Sequence, residues 1–188
     1  IVGANRFLGR VWRLLGQARS LFVREWRDLL ADAFDDRSRE LRRKTHTTIK
    51  RVCDDIRDFR FNTAVAAMME WLNAIADFLQ VGTPEQQHRV ALSEAVEGFL
   101  RLLSPIAPHT ADELWERCGF EGFLFAEGIP IYDETVAAAE ELMIAVQVNG
   151  KLRATLEAPA DASNTDLERL AREHPKVTPH LDGVTVRK

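Results

Sequence analysis

Residues 103–115 read Leu-Ser-Pro-Ile-Ala-Pro-His-Thr-Ala-Asp-Glu-Leu-Trp, and this stretch decides the fold. Pro105 and Pro108 each fix their own φ angle and disfavour the helical region for the residue before them. One helix is therefore predicted to end here and another to begin. Asp112 and Glu113 follow near the start of the second helix, where negative charge complements the positive end of the helix dipole. Such a corner sets the angle between two packed helices.

On either side of this corner, apolar residues recur at three- and four-residue steps, which is the pattern of amphipathic helices. It predicts helices over about 5–30 and 39–59, a third from Asn62 as N-cap, a fourth, and a fifth from the corner to Gly119. The fourth is predicted to begin at Thr83-Pro84-Glu85-Gln86, as an N-cap, a proline and a capping-box glutamine. Five helices with short connections predict a bundle.

The pattern changes to alternation at Leu142, which predicts strands rather than helices. A three-residue loop, Val148-Asn149-Gly150, is predicted because it pairs Val146 with Leu152 and keeps the apolar side chains on one face. The loop also places Gly150 at a left-handed position. On the opposite face, the hairpin is expected to cluster three polar side chains, those of Gln147, Lys151 and Arg153.

A helix capped by Ser163–Asp166 and a last strand at Val184–Val186 complete the predicted elements. The fold class is therefore mainly α: a five-helix bundle followed by a small α+β C-terminal domain of hairpin, helix and strand. The domain boundaries predicted are 1–120 for the helical domain, 121–141 for a linker and 142–188 for the small domain. We expect the sequence to be an excised piece with the small domain truncated.

The composition is that of an ordinary globular protein, with 188 residues, 46% hydrophobic and 29% charged. No apolar run is long enough to span a bilayer, and the two cysteines lack metal-ligand spacing, so we expect buried free thiols and a cytoplasmic location. The net charge of −4 hides an asymmetry, because residues 1–60 carry fifteen Lys or Arg against nine Asp or Glu. A basic third on an acidic protein predicts a local polyanion-binding face.

The cations fall on lines along the first two predicted helices. On the first helix they are Arg6, Arg10, Arg13 and Arg24. On the second, the line that we call the outer line contains Arg39, Arg43, Lys50 and Arg57, with Arg42, Lys44 and Arg51 beside it. Such lines can follow a phosphate backbone. The nearby aspartates, however, are typical of a solvated face with i,i+4 ion pairs. Charge alone favours the solvated face.

Catalytic residues and metal ligands are not predicted from this sequence. It contains no phosphate-binding glycine loop, no HExxH and no cluster of metal ligands, and its five histidines are scattered. His109, at a predicted helix start, is expected to be structural because no carboxylate or nucleophile is positioned beside it.

Several stretches resemble class I aminoacyl-tRNA synthetases for aliphatic amino acids. These are Gly3–Leu8, Leu41–His46, Phe61–Ala64, and Pro105–His109 with Glu113–Trp115. They are shared by the valyl, isoleucyl and leucyl enzymes. The stretches Val146–Arg153 and Leu181–Lys188 are similar to the small C-terminal domain of the bacterial-type leucyl enzymes, whereas the valyl enzymes end in a coiled coil. The chain therefore resembles the C-terminal part of leucyl-tRNA synthetases.

This resemblance implies an anticodon-binding-type helical domain that holds tRNA. It implies that the intact protein attaches leucine to tRNA(Leu) using ATP and Mg, and that the catalytic and editing domains lie outside this chain. The fragment would then be non-catalytic, with tRNA(Leu) and the upstream catalytic domain as partners, no membrane association and a monomeric state. The alternatives are the equivalent part of a valyl- or isoleucyl-tRNA synthetase, or a non-catalytic helical protein-interaction module.

The resemblance also changes the interpretation of the charged side chains. It implies phosphate contacts, the commonest class in nucleic-acid interfaces, at Arg42, Arg43, Lys44 and Lys50. In the small domain it implies contacts to the tRNA elbow from Asn149, Lys151, Arg153, Arg187 and Lys188. Arg6 and Arg10 are expected to face either the catalytic domain or the tRNA.

Overall fold

A computed structural model of the chain describes residues 2–30, 34–80, 84–138, 141–148, 150–159 and 164–180. The chain divides into two compact units, residues 1–137 and 138–188, and each is described here by itself. The described helices contain none that is long and apolar enough to cross a membrane.

The first unit is the predicted five-helix bundle. Its helices are α1 (Val2–Ala18), α2 (Asp36–Arg57), α3 (Phe61–Phe78), α4 (Gln86–Leu103) and α5 (Pro108–Arg117). The central helix is α4, because most of its side chains are buried on all sides. Trp71 of α3 and Phe99 of α4 are fully buried and meet edge to face, with ring centroids 5.5 Å apart. Burial of one such side chain contributes about 1.5–3 kcal/mol to stability.

The proline corner has the predicted form. The carbonyl of Leu103, the last residue of α4, accepts hydrogen bonds from the N–H groups of Ile106 and Ala107 at 2.9 and 2.8 Å. Pro108 is then the first residue of α5, a position where its missing N–H costs nothing. Leu114 and Trp115 turn inward and are buried. The corner therefore fixes how α5 packs on the bundle.

The first helix is shorter than predicted, since α1 ends at Ala18 and a 3-10 turn follows at Arg19–Leu21. Polar groups of α4 bond the backbone beyond this point: Arg89 donates to the carbonyls of Ser20 and Leu21, and Ser93 accepts from the N–H of Val23. The apolar period nevertheless continues to Trp26, which is buried. The periodicity predicted the inward-facing residues correctly. It could not show that the chain leaves the helix after Ala18, where side chains of α4 bond the backbone.

Two of the helix caps predicted from the sequence, Asn62 for α3 and Thr83 for α4, are wrong. Helix α4 is capped by Glu85, and His88 completes the capping box by accepting from the N–H of Glu85 at 3.0 Å. Thr83 lies outside the described residues. Helix α3 begins at Phe61 after Arg60, so Asn62 lies inside its first turn. A tertiary contact supports this capping box of α4. Nε2 of His88 lies 2.9 Å from a carboxylate oxygen of Asp35, the N-cap of α2.

The segment predicted as a linker packs on the bundle as far as residue 137. Leu124 begins a 3-10 turn, Leu124–Glu127, and is buried in the core. A single helical turn, α6 (Glu134–Ala137), lies against α2. This segment is therefore part of the helical unit in the structure.

The second unit contains an antiparallel hairpin of β1 (Glu141–Val148) and β2 (Lys151–Pro159). Val148 pairs with Lys151, and Gln147 with Leu152, so the connecting loop has two residues. The predicted three-residue loop is therefore wrong. Val146 then pairs with Ala154, because a bulge leaves one extra residue, Arg153, on β2.

This bulge keeps apolar side chains paired on one face, which was the reason for predicting a longer loop. It restores apolar pairing after a two-residue turn, so Ala154, Leu156 and Ala158 are buried on one face. Leu152, which was predicted to face inward, precedes the bulge and is 62% exposed. Gly150 has φ +73°, the left-handed conformation that the sequence predicted.

Beyond the hairpin, α7 (Asn164–Glu173) and a 3-10 turn, Thr178–His180, complete the described part of this unit. Leu167, Leu170 and Ala171 of α7 are partly buried, in line with their predicted inward face. The predicted strand Val184–Val186 lies outside the described residues.

Candidate nucleic-acid interface

The cations of α2 point in three different directions. Arg42 points into the protein. The outer line, Arg39, Arg43, Lys50 and Arg57, lies on one exposed side of the helix. A second exposed side, next to α3, contains Arg37, Lys44 and Arg51 at seven-residue intervals, a spacing that returns to nearly the same face of a helix.

Arg42 is a structural residue in this fold. Its side chain is only 16% exposed, and its Nε and Nη2 atoms lie 2.6 and 3.2 Å from the carboxylate oxygens of Glu94 on α4. Its guanidinium also stacks on the ring of Phe34, 4.6 Å from the centroid. A phosphate contact would break this pair, which favours a structural role for Arg42 over the predicted phosphate contact.

Glu94 is the centre of a buried network that includes His46. Nε2 of His46 lies 3.0 Å from Oε1 of Glu94, and the backbone N–H of Asp133 donates to Nδ1 of His46 at 3.0 Å. Because Nδ1 accepts, the proton is assigned to Nε2, which donates to Glu94. Burial by itself would raise the pKa of Glu94, but the hydrogen bonds from His46 and Arg42 outweigh it and hold that pKa below its usual value. The network joins α2, α4 and the segment before α6.

The outer line is nearly neutralised by carboxylates of its own helix. Arg39 pairs with Asp36, Arg43 with Glu40 at 2.5 Å, and both Lys50 and Arg57 with Asp54 at 3.1 and 3.0 Å. Lys50 also lies 5.4 Å from the ring centroid of Tyr132. The hydrogen bond from Lys50 to Asp54 raises the pKa of Lys50 and lowers that of Asp54. This arrangement matches the solvated face that charge alone favoured.

The side of α2 next to α3 is different. Lys44 and Arg51 share one carboxylate, Glu70 of α3, at 3.7 and 3.2 Å. On the other side of α3, Arg10 of α1 donates to the side chain of Asn73 at 2.5 Å. Arg10 therefore lies beside α3, and Arg6 and Arg13 lie on the same line of α1 by helical spacing. We call this surface the α3 face; it comprises the exposed stripe of α3 with Arg6, Arg10 and Arg13 of α1 and Arg37, Lys44 and Arg51 of α2.

Comparison with known proteins agrees with a nucleic-acid role. A family model described as the anticodon-binding domain of tRNA ligase matches residues 38–169. The chain belongs to this family. Its fold was therefore identified correctly from the sequence, as a mainly helical anticodon-binding domain followed by a small antiparallel sheet.

The similar curated proteins are leucine–tRNA ligases. That of Nitratidesulfovibrio vulgaris strain DP4 is 42% identical over 191 residues, which is 100% of this chain and 23% of the relative. That of Geobacter sp. strain M21 is 40% identical over 187 residues, 99% of this chain and 22% of the relative. The chain thus spans less than a quarter of the length of these relatives. The resemblance to leucyl-tRNA synthetases is confirmed.

A solved structure gives the same result. The crystal structure of the ternary complex of Agrobacterium radiobacter K84 agnB2 LeuRS, tRNA and LeuAMS matches 99% of this chain and 23% of that chain. The sequence identity is 27% and the TM-score is 0.80. The anticodon-binding domain described here therefore has the fold of the matching part of that synthetase.

Other predicted site residues are divided between the two units. In the helical unit, Arg24 lies beyond the end of α1 and pairs with Glu121 at 2.5 Å, so it is not on the line of Arg6 and Arg10. In the second unit, Lys151 is exposed and Arg153 is half-buried in the bulge. The expected cluster of Gln147 with both cations does not form, because Gln147 faces Leu152 across the strands. Asn149, Arg187 and Lys188 lie outside the described residues.

The thiols and histidines give no catalytic site within the described residues. Burial raises the pKa of Cys118 to about 12, so its thiol is protonated and unreactive near neutral pH. Cys53 is half-buried rather than buried, and burial also raises its pKa. No group of three or more metal-ligating side chains occurs in the part of the chain that the structure describes.

The sequence interpretation did not single out Arg37 and Asn73, and it placed Arg51 only beside the outer line. A signal was present, because Arg37, Lys44 and Arg51 recur every seven residues. That signal was weaker than the four-membered outer line. The position of Glu70 and Asn73 beside these lines depends on helix packing, which a single sequence does not show.

Proposed function

We propose that this chain is the tRNA-holding part of a leucine–tRNA ligase, which in its intact form attaches leucine to tRNA(Leu) using ATP and Mg in the cytoplasm. The observation that carries the proposal is that leucine–tRNA ligases match essentially the whole chain at 40–42% identity. The structural neighbour is a complex that contains tRNA, which supports the same partner. The chain itself is non-catalytic in this proposal, and its other partner is the remainder of the enzyme.

The proposed chemistry is recognition of the sugar–phosphate backbone. Cations of the helical unit neutralise phosphates, and exposed Lys151, with Arg153, contacts a second region of the tRNA. Phosphate contacts position an RNA without reading its sequence. The part of the enzyme that selects leucine then acts on a tRNA that is already oriented. A monomer is sufficient for this role.

Direct binding tests the tRNA part of the proposal. The 188-residue chain is titrated with transcribed tRNA(Leu) in a series of salt concentrations. If about four phosphates are neutralised, we expect the affinity to fall roughly 100-fold between about 50 and 200 mM salt. No binding, or an affinity independent of salt, would contradict tRNA holding and favour a helical protein-interaction module.

A chimeric enzyme tests the leucine part. The matching segment of the Nitratidesulfovibrio vulgaris ligase is replaced by this chain, and the charging of tRNA(Leu), tRNA(Val) and tRNA(Ile) with their amino acids is measured. We expect leucylation of tRNA(Leu) to be retained, and amino-acid activation without tRNA serves as the control for a folded catalytic part. A chimera that activates leucine normally but cannot charge tRNA(Leu) would contradict the assignment.

A further inference from the structure

The two exposed sides of α2 differ in their carboxylates, not in their cations. On the outer line, four cations face three carboxylates, Asp36, Glu40 and Asp54, and Glu134 of α6 also acts on Lys50. On the α3 face, six cations face three carboxylates: Glu70, Asp77 and the buried Asp55. The pKa of Asp55 is lowered by Arg60, by Thr63 and, after these, by Arg51. The α3 face therefore has a strong positive excess.

Fewer cations of the α3 face form ion pairs with carboxylates. Arg6 and Arg13 are exposed and have no ion-pair partner among the described residues. Arg10 bonds a neutral amide, that of Asn73, and keeps its full charge. Arg37 donates to the carbonyls of Asp77 and Phe78 at 2.7 and 3.3 Å, which caps the end of α3 without cancelling the charge.

Between the two rows of cations, α3 presents a mostly neutral surface. Its exposed stripe includes Asn62, Ala66, Met69 and Asn73. Along the axis, neighbouring cations are roughly 10 Å apart in the α2 row and roughly 5–6 Å apart in the α1 row, because a helix rises about 1.5 Å per residue. Two rows of positive charge therefore border a surface that an RNA helix can approach without meeting a line of carboxylates.

Binding through counterion release requires cations that are not already neutralised. A cation on the outer line would first lose the carboxylate beside it, and that carboxylate would then repel the phosphate. Surface ion pairs are weak, about 0.2–1 kcal/mol each, but a remaining carboxylate cancels the gain from the cation. The electrostatic benefit is therefore concentrated on the α3 face.

We propose that the α3 face is the surface that holds the sugar–phosphate backbone of a helical arm of the tRNA, and that the outer line is not. This inference rests on the proposed function and makes it specific. Of the predicted phosphate contacts, it retains Lys44 and replaces Arg42, Arg43 and Lys50 with Arg51 and with Arg10 and Arg13 of α1. It assigns Arg6 and Arg10 to the RNA rather than to the catalytic domain.

Two charge-matched triple variants of the 188-residue chain test the proposal. The first, R13Q/K44Q/R51Q, removes three cations of the α3 face. The second, R43Q/K50Q/R57Q, removes three cations of the outer line. Both change the net charge equally, and circular-dichroism melting curves check that both variants are folded. Affinity for a tRNA(Leu) transcript is measured as a function of salt.

We expect the first variant to lose roughly tenfold or more in affinity and the magnitude of its log–log salt slope to fall by about 2–3, because each phosphate contact contributes about 0.9. The second variant should remain within about threefold of the wild type, since its charges were already neutralised. Arg13→Gln alone, which removes no ion pair of the described residues, should lower the magnitude of the slope by about 1 and serves if the triple variant fails to fold.

The outcomes separate this inference from the proposed function. If the wild type binds with a steep salt dependence but the two triple variants weaken equally, or the outer-line variant weakens more, the α3 face is wrong while the tRNA-holding function stands. If the wild type does not bind tRNA, both proposals fail together.

Discussion

The two exposed sides of α2 belong to one helix and contain similar numbers of cations, yet those cations are paired with different numbers of carboxylates. On the outer line, each cation forms an ion pair with a carboxylate three or four residues away on the same helix. On the α3 face, Lys44 and Arg51 share a single carboxylate from another helix. The comparison teaches that the number of cations on a helix face does not measure the charge that remains available to a partner.

The largest expected effect concerns Arg42, the cation of α2 that points into the protein. We expect Arg42→Ala to reduce the free energy of unfolding by about 3–5 kcal/mol, because it leaves Glu94 buried without its guanidinium. Arg43→Ala, one residue away on the outer line, is the control and should cost less than about 0.5 kcal/mol, as surface pairs do. Urea unfolding measures both, and equal losses would show that the buried pair is not structural.

Acidification tests the same buried pair without a change of size. The pKa of Glu94 is lowered in the folded protein, so its stabilising contribution is complete above the usual glutamate pKa of about 4.3 and is lost as the pH falls through the folded value. We expect the wild type to lose stability over this acidic range. The Glu94→Gln variant, less stable near neutral pH, should show a flatter dependence. Parallel curves for the two proteins would contradict the assignment of this carboxylate.

Removing a carboxylate should have opposite effects on the two exposed sides. We expect Glu70→Gln to tighten tRNA binding by about two- to eightfold, because it releases Lys44 and Arg51 for roughly one more phosphate contact. Glu40→Gln, the control on the outer line, should leave the affinity unchanged within about twofold. Titrations at one low salt concentration measure both. A larger gain from Glu40→Gln would reverse the assignment of the faces.

The smallest expected effect concerns Lys50, a cation that the resemblance implied as a phosphate contact. Because its partners Asp54 and Tyr132 already occupy it, Lys50→Ala should change tRNA affinity by less than about twofold and stability by less than about 0.5 kcal/mol. The same titration and urea experiments apply. A tenfold loss of affinity, about 1.4 kcal/mol, would place the outer line in the interface.

Much of the fold could be predicted because local chemistry decides it. The Pro105–Pro108 corner, the inward stripes of the helices and the left-handed Gly150 all depend on neighbours in sequence. The errors have a common cause in tertiary contacts. Arg89 and Ser93 bond the backbone after Ala18. Asp35 supports His88, which completes the capping box of α4, and a bulge rather than a longer loop sets the hairpin pairing.

The candidate site was less predictable than the fold. Sequence spacing placed the cations on lines and put the partners of the outer line on the same helix, but the partners of Arg42, Arg51 and Arg10 come from other helices. Glu94 on α4 removes Arg42 from the surface, and Asn73 and Glu70 on α3 bring the lines of α1 and α2 to one face. Which line remains charged is therefore a property of packing.

Lysine footprinting is the most direct test of the α3 face, because Lys44 and Lys50 lie on opposite exposed sides of one helix. The free chain and its tRNA(Leu) complex are treated with an amine-reactive reagent, and the modification of each lysine is compared by mass spectrometry, with Lys176 of the second unit as a reference. We expect tRNA to protect Lys44 and to leave the modification of Lys50 unchanged. Protection of Lys50 with Lys44 still reactive would contradict the α3 face as the RNA-holding surface.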